Sequence, residues 1–217
     1  LAILVTTAAI SWNFPSPFMV MISYIGIFAA AISSVVTFGF WMPFIGFIIN
    51  PRPHLAPKTW LVFAAGEGFF IGLISLSFET MFPGIVLEAV SLTFCVAATL
   101  LFLYKSGIVK PSQNFVLMLC SAIFGIFLFY IGSLIYSLVT GVSPEIFSGS
   151  TNASIGLSLF IVGIAALSLV LDFDIIEQSA EYGSPKYMEY FGAMALVTTL
   201  IWLYIEILRL LAKFRSR

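Results

Sequence analysis

The sequence predicts an all-α membrane protein that crosses the bilayer several times. Hydrophobic residues make up 61% of the chain and charged residues only 9%, whereas soluble domains carry about 25% charged residues. The mean hydropathy of +1.12 points the same way. No stretch shows the roughly ten-residue alternation that is typical of a membrane β-strand. Helices are the other structure that satisfies every backbone group in lipid, so helices are expected throughout.

Seven hydrophobic segments follow one another, and no linker divides them, so residues 1–217 are predicted to form a single transmembrane domain. Proline and glycine interrupt the chain between segments, as is typical of helix ends. The first segment is shorter than the ~20 residues of a membrane span, so we expect the sequence to begin within its first helix. The segments cover about 1–12, 18–49, 58–79, 84–104, 113–140, 153–176 and 187–212.

The basic residues favour an orientation with the N-terminus in the cytoplasm, because cytoplasmic loops are enriched in Lys and Arg. Four basic residues from Arg209 onward would then lie outside if the seventh segment crosses, and inside if it is re-entrant. We favour crossing, because residues 187–212 are long enough to span. In this orientation the cytoplasmic loops hold Arg52, Lys58, Lys105, Lys110 and Lys186.

The sixth segment ends in a group of acids. Leu157 to Leu171 contains no charge, and Asp172, Asp174 and Glu177 follow within six positions. A carboxylate at bilayer depth costs about 2.5–3.5 kcal/mol on insertion scales. Either the helix stops at the interface here, or the acids face a wet interior. At ~100° per residue Asp172 points away from the other two acids, and it is the strongest candidate for function, whereas Glu177 is expected to mark a helix end.

A polar stripe runs along the seventh segment at Thr199, Trp202, Glu206, Arg209 and Lys213. The spacings of 3, 4, 3 and 4 residues place all five on one face of a helix. Glu206 and Arg209 can pair at i, i+3, in which case the pair only anchors packing. Alternatively, the stripe forms the wall of an aqueous path. The sequence leaves both interpretations open.

Glu67 stands in the middle of the third segment, in AAGEGFFIG, with no basic residue within two turns. Glycines at 66, 68 and 72 allow another helix to approach closely. An acid at this depth is a functional candidate by default. The alternative is a protonated glutamic acid with a structural role.

The sequence argues against an enzyme. His54, the only histidine, lies in a proline-rich loop, so zinc or haem sites built on histidine pairs and Ser–His nucleophiles at membrane depth are excluded. Asp172 and Asp174 are the only aspartates, and at i, i+2 they cannot easily share the proton of an aspartyl protease. No phosphate-binding glycine loop is present. Nine basic residues are too few for a nucleic-acid partner, and no organic cofactor is expected.

Several motifs resemble the Bax inhibitor-1-like family of seven-helix membrane proteins, and in particular its bacterial branch. The most specific is LVLDFDIIEQ, followed by PKYMEYF and EILRLL, with GEGFFIG, PGIVLEAV and LYKSGI earlier in the chain. The resemblance covers the chain from about the second segment onward. It implies a bundle whose last helix is central, surrounded by the other six. It also implies a location in the bacterial cytoplasmic membrane.

In better-known members of that family, an aspartate late in the sixth helix hydrogen-bonds an aspartate in the seventh, and the pair acts as a pH sensor for a calcium leak. Asp172 matches the first aspartate. The second position falls near Thr199, and the seventh segment has no aspartate. Glu67, Asp174 or Glu206 could substitute for it, and the sequence does not choose among them.

The resemblance and the acids together predict a pH-sensitive cation leak with calcium preferred. Carboxylates lining a bundle interior attract hard cations, and two nearby carboxylates can share one proton. The expected ion-binding and pH-sensing residues are Asp172, Asp174, Glu206, Glu67 and Thr199, with Asp172 as the calcium contact. One alternative is a non-conducting regulator that binds a protease or a stress or cell-death partner in the membrane. A proton-coupled carrier is a third hypothesis.

Overall fold

A computed structural model of the protein describes residues 56–140 and 151–217. Both stretches are helical and contain no strand, and all five helices are long and apolar enough to cross a membrane. The first two predicted segments, 1–12 and 18–49, lie outside the described residues, so the count of seven helices stays a prediction. The helices are α1 (Ala56–Met81), α2 (Ile85–Lys105), α3 (Gln113–Thr140), α4 (Asn152–Glu181) and α5 (Tyr187–Arg215).

Helix α4 continues to Glu181, five residues past the end expected at 176. The first acids therefore do not end the helix. Asp174 and Glu177 remain helical, and both contact the hydroxyl of Tyr104 on the neighbouring α2. These hydrogen bonds stabilise the two acids in the helix beyond its apolar run.

The turn between α1 and α2 is held by a carboxylate. Gly84, at φ 84°, lies just before α2 and adopts the left-handed conformation that glycine tolerates. Glu79 Oε1 accepts a hydrogen bond from the Gly84 N–H at 2.6 Å, and Oε2 accepts one from Val86 N–H at 3.1 Å. A carboxylate at a helix N-terminus satisfies free N–H groups and opposes the helix dipole, so Glu79 has a structural role.

Helix α5 is the most buried of the described helices. Every residue from Ile201 to Leu208 is buried, which is typical of a helix enclosed on all sides. It packs against α1, α2 and α4, and Tyr130 of α3 reaches it through a hydrogen bond to Glu206. The last helix is therefore the one around which the described part of the bundle is built.

The contacts with α5 define the direction of two of its neighbours, α1 and α4. The rings of Trp60 and Tyr190 lie 6.4 Å apart, and the hydroxyls of Ser75 and Tyr204 lie 2.7 Å apart, so α1 runs parallel to α5. Helix α4 is antiparallel to α5, because residues near its start contact the end of α5. Their close approach uses Gly192.

A Cβ at Gly192 would lie 2.9 Å from Ile176 Cγ1. Contacts that close are essentially never made by a real Cβ, so the absence of a side chain at 192 lets α4 and α5 meet there.

The outer surface of α1, α2 and α3 carries large exposed apolar side chains, including Phe69, Leu87, Phe102 and Leu117. Exposed apolar surface of this extent on a bundle of apolar helices requires a lipid environment. The protein is therefore an integral membrane protein.

Candidate functional site

The polar stripe of α5 is buried inside the bundle. Thr199, Trp202, Glu206 and Lys213 are 6%, 5%, 1% and 6% exposed. The stripe faces α3 and α4, and its members divide into two levels along the helix. The upper level contains Thr199, and the lower level contains Glu206 and the two basic residues that follow it.

At the upper level, the carboxylate of Asp172 on α4 lies beside the hydroxyl of Thr199 on α5. Asp172 is half-buried, and its Oδ2 is buried without a hydrogen-bond partner among the described residues. The Thr199 hydroxyl also lies 3.2 Å from the Ala195 carbonyl oxygen. The structure thus places the strongest sequence candidate in the core with one carboxylate oxygen free.

Asp174 lies on another face of α4 and contacts α2. The Tyr104 hydroxyl is within hydrogen-bond distance of Asp174 Oδ1, at 3.2 Å, and of Glu177 Oε2. Gln178 donates a second hydrogen bond to Asp174 at 2.6 Å. Because these partners draw Asp174 away from α5, it does not substitute for a second acid beside Asp172.

At the lower level, Glu206 takes part in a closed network. Arg209 Nη1 lies 3.2 Å from each Glu206 carboxylate oxygen. The Tyr130 hydroxyl donates to Glu206 at 2.8 Å and accepts from Arg209 at 2.6 Å. The guanidinium carbon also lies 5.6 Å from the Tyr130 ring centroid. Glu206 is therefore neutralised and fully bonded, and it too is an unsuitable second acid.

Tyr130 is not among the residues that the sequence singled out. Its one signal was a tyrosine in the middle of a helix without charged side chains, and such a hydroxyl needs a hydrogen-bond partner when it is buried.

Lys213 ends the stripe. It donates to Ser158 Oγ at 2.7 Å and to the Ser154 carbonyl oxygen at 3.2 Å, both on α4. These contacts hold the end of α5 against the start of α4.

Glu67 lies on the opposite flank of α5. It is 2% exposed, and neither carboxylate oxygen has a hydrogen-bond partner among the described residues. Trp60 and Ser75, on the same face of α1, contact α5, so Glu67 points into the bundle rather than to lipid. It is the most buried acid without a partner in the described part of the chain.

A family model described as Bax inhibitor 1 like matches residues 1–216. The chain belongs to the Bax inhibitor 1-like family. No curated protein and no solved structure matches the chain.

In this Bax inhibitor 1-like protein, the contact between the last two helices joins an acid and a hydroxyl. Asp172 and Thr199 supply hard oxygen ligands, the type that Ca²⁺ prefers. Ca²⁺ takes 6–8 oxygens at a resident site, and the described residues contain no cluster of three or more acids, histidines or cysteines that could hold a metal.

Proposed function

We propose that this protein is a pH-sensitive cation leak, with calcium preferred, in which Asp172 is the acid that both attracts the cation and binds a proton. The observation that carries the proposal is the free Oδ2 of Asp172, buried at the contact between α4 and α5. A carboxylate oxygen that serves only packing would be expected to have a partner at this depth.

The proton response of such a site depends on Asp172 alone. Thr199 has no acidic proton, so the two side chains cannot exchange a proton as two carboxyls do. Protonation of Asp172 removes its charge and leaves the hydroxyl contact possible. We therefore expect titration to change the attraction for cations without separating α4 from α5.

The regulatory alternative has one observation in its favour. Glu206 is paired with Arg209 and bonded to Tyr130, so the lower level of the stripe offers no free negative charge to a cation. A non-conducting protein that binds a membrane partner would be expected to have its acids paired in this way. The two hypotheses differ in what they expect of Asp172.

The test is calcium flux into liposomes that contain the purified protein, at pH 6 and pH 8, for the unaltered chain and for Asp172→Asn. Asparagine keeps the size and the hydrogen-bonding capacity of the side chain and removes its charge. We expect a flux that differs between the two pH values and falls to the level of empty liposomes in Asp172→Asn. Glu181→Gln, which removes an exposed acid at the end of the same helix, is the matched control and should conduct normally.

A flux no greater than that of empty liposomes at either pH would reject the leak and favour the regulatory alternative. An undiminished flux in Asp172→Asn would reject the role of Asp172 while keeping conduction. A magnesium and potassium series in the same liposomes measures the preference for calcium.

A further inference from the structure

Glu67 has no place in the site built around Asp172, and its surroundings are unusual. It is 2% exposed, and both of its carboxylate oxygens are buried without a hydrogen-bond partner among the described residues. An ionised carboxylate in such surroundings is strongly unfavourable, and a buried acid without a partner takes up a proton instead.

Helix contacts fix the depth of Glu67. It lies midway between Trp60 and Ser75, whose side chains contact α5 at two points 14 residues apart. Because α1 and α5 run parallel, Glu67 is level with residues 196–197 of α5. This is within one turn of Thr199, so Glu67 and Asp172 lie at the same depth in the bundle.

The two acids nevertheless lie on opposite sides of α5. Thr199 faces α4, whereas Tyr204 and Tyr190 face α1. At 3.6 residues per turn, these tyrosines point about 140° and 180° away from Thr199. Packed helices lie 8–10 Å apart, so the axes of α1 and α4 are separated by roughly 15–20 Å with α5 between them. No direct hydrogen bond can join the two carboxyls across that helix.

We propose that Glu67 is a second proton-binding site, independent of Asp172, at the same depth on the opposite side of α5. Its contribution to the pH response of the leak rests on the proposed function. Its occupancy by a proton rests on its burial and on the absence of a hydrogen-bond partner among the described residues. In place of the two hydrogen-bonded acids that the resemblance implies, the protein would then have two acids that bind protons separately.

No other acid is placed to share the proton of Glu67. Residues 1–55 contain no Asp or Glu, and their only basic or histidine side chains are Arg52 and His54. On α2, Glu88 is ion-paired with Arg215 at one end of the helix. From α5, Tyr190 and Tyr204 contact α1. The titratable side chains of α2, which also packs against α1, are Glu88, Cys95, Tyr104 and Lys105.

The groups around Asp172 are also separate from Glu67. Thr199 faces it from α5, with Glu206 and Arg209 about two turns further along. Tyr104 of α2 is engaged by the other acids of α4, and α3 carries no charged side chain. The acid nearest to Asp172 is thus Asp174 on its own helix, not Glu67.

The test is infrared spectroscopy of the protein in lipid, titrated from acid to alkaline pH and recorded in the carbonyl region of protonated carboxylic acids. We expect Glu67→Gln to remove one protonated-acid band and to leave the Asp172 band and its midpoint unchanged. Asp172→Asn should remove the other band and leave that of Glu67. Glu181→Gln, at an exposed position, should change neither band.

Two results would overturn the proposal. If Glu67→Gln loses no band, Glu67 is ionised in the unaltered protein. If Glu67→Gln shifts the midpoint of Asp172 by one pH unit or more, the two acids are coupled. If Glu67→Gln does not fold, the unaltered protein is made by cell-free synthesis with ¹³C-labelled glutamate and titrated. A protonated glutamate band that persists above the pH at which exposed carboxyls ionise should then move to lower frequency. Absence of that shift also overturns the proposal. These readouts do not depend on conduction, so a protein without flux that shows both bands rejects the leak alone.

Discussion

Buried charges have different partners at two levels of the same bundle, which lie along α5 at Thr199 and, from about 10 Å further on, at Glu206 to Lys213. At the lower level, Glu206 meets Arg209 and Tyr130, and Lys213 meets two groups of α4. At the level of Thr199, the free oxygen of Asp172 and both oxygens of Glu67 lack partners in the described part of the chain.

The difference distinguishes buried charged residues that stabilise the fold from buried acids that need another explanation. A buried charge with a complete set of partners holds helices together, and removing one partner is costly because the other is left unpaired. A buried acid without partners lowers stability, so its presence calls for a functional explanation. The lower level is therefore interpreted as an anchor, and the level of Thr199 contains the acids of the proposed function.

Arg209→Met should produce the largest loss of stability. It would leave the Glu206 carboxylate, 1% exposed, without its counter-charge, which costs about 3–5 kcal/mol in comparable buried pairs. Thermal unfolding in detergent, followed by intrinsic fluorescence, measures the loss. Arg209→Lys keeps the positive charge and should lose less. Equal stability of Arg209→Met and the unaltered protein would contradict the interpretation of this level as an anchor.

Tyr130→Phe should have the next largest effect. It removes the hydroxyl that bridges Glu206 and Arg209 but leaves their ion pair, so we expect a loss of about 1–2 kcal/mol. Tyr136→Phe is the matched control, since Tyr136 is exposed on the same helix and its loss should leave the unfolding temperature unchanged. Equal effects of the two substitutions would show that the bridge contributes nothing.

Ser158→Ala should have a smaller effect. It removes the hydroxyl that accepts from Lys213, while the Ser154 carbonyl still accepts. Single side-chain hydrogen bonds inside membrane proteins average ~0.6 kcal/mol. The same unfolding assay applies, with Ser91→Ala as a control because Ser91 is exposed and bonds only its own helix. A loss above that of Tyr130→Phe would place the main anchor at Lys213.

Hydropathy and helical spacing predicted much of this arrangement. The absence of charge over long runs identified the described helices, because a helix satisfies every backbone group of a segment within that segment in lipid. The 3, 4, 3, 4 spacing of the α5 stripe predicted one polar face, and i, i+3 spacing predicted the pair of Glu206 and Arg209. These features depend on the geometry of one helix and can be read from local sequence.

The partners on other helices could not be predicted in the same way. Tyr130 is 76 positions from Glu206, and Tyr104 is 70 positions from Asp174. The rotation of each helix about its axis decides which residues meet, and the helices here are apolar on nearly every face. The sequence therefore left Glu67, Asp174 and Glu206 equally suitable as a second acid. In the structure, Asp174 bonds Tyr104 and Glu206 bonds Tyr130 and Arg209, while Glu67 lies on the far side of α5.

Asp172→Asn should have the smallest effect on stability, with an unfolding temperature close to that of the unaltered protein. The substitution removes a charge that has no counter-charge among the described residues and keeps a side chain that can bond Thr199, so the loss of one hydrogen-bond contribution is offset by easier burial. The same variant is expected to abolish flux. Loss of flux without loss of stability would distinguish the level of Thr199 from the lower level more clearly than any other result. A loss of stability as large as that of Arg209→Met would mean that Asp172 has a charged structural partner, and the two levels would then have the same role.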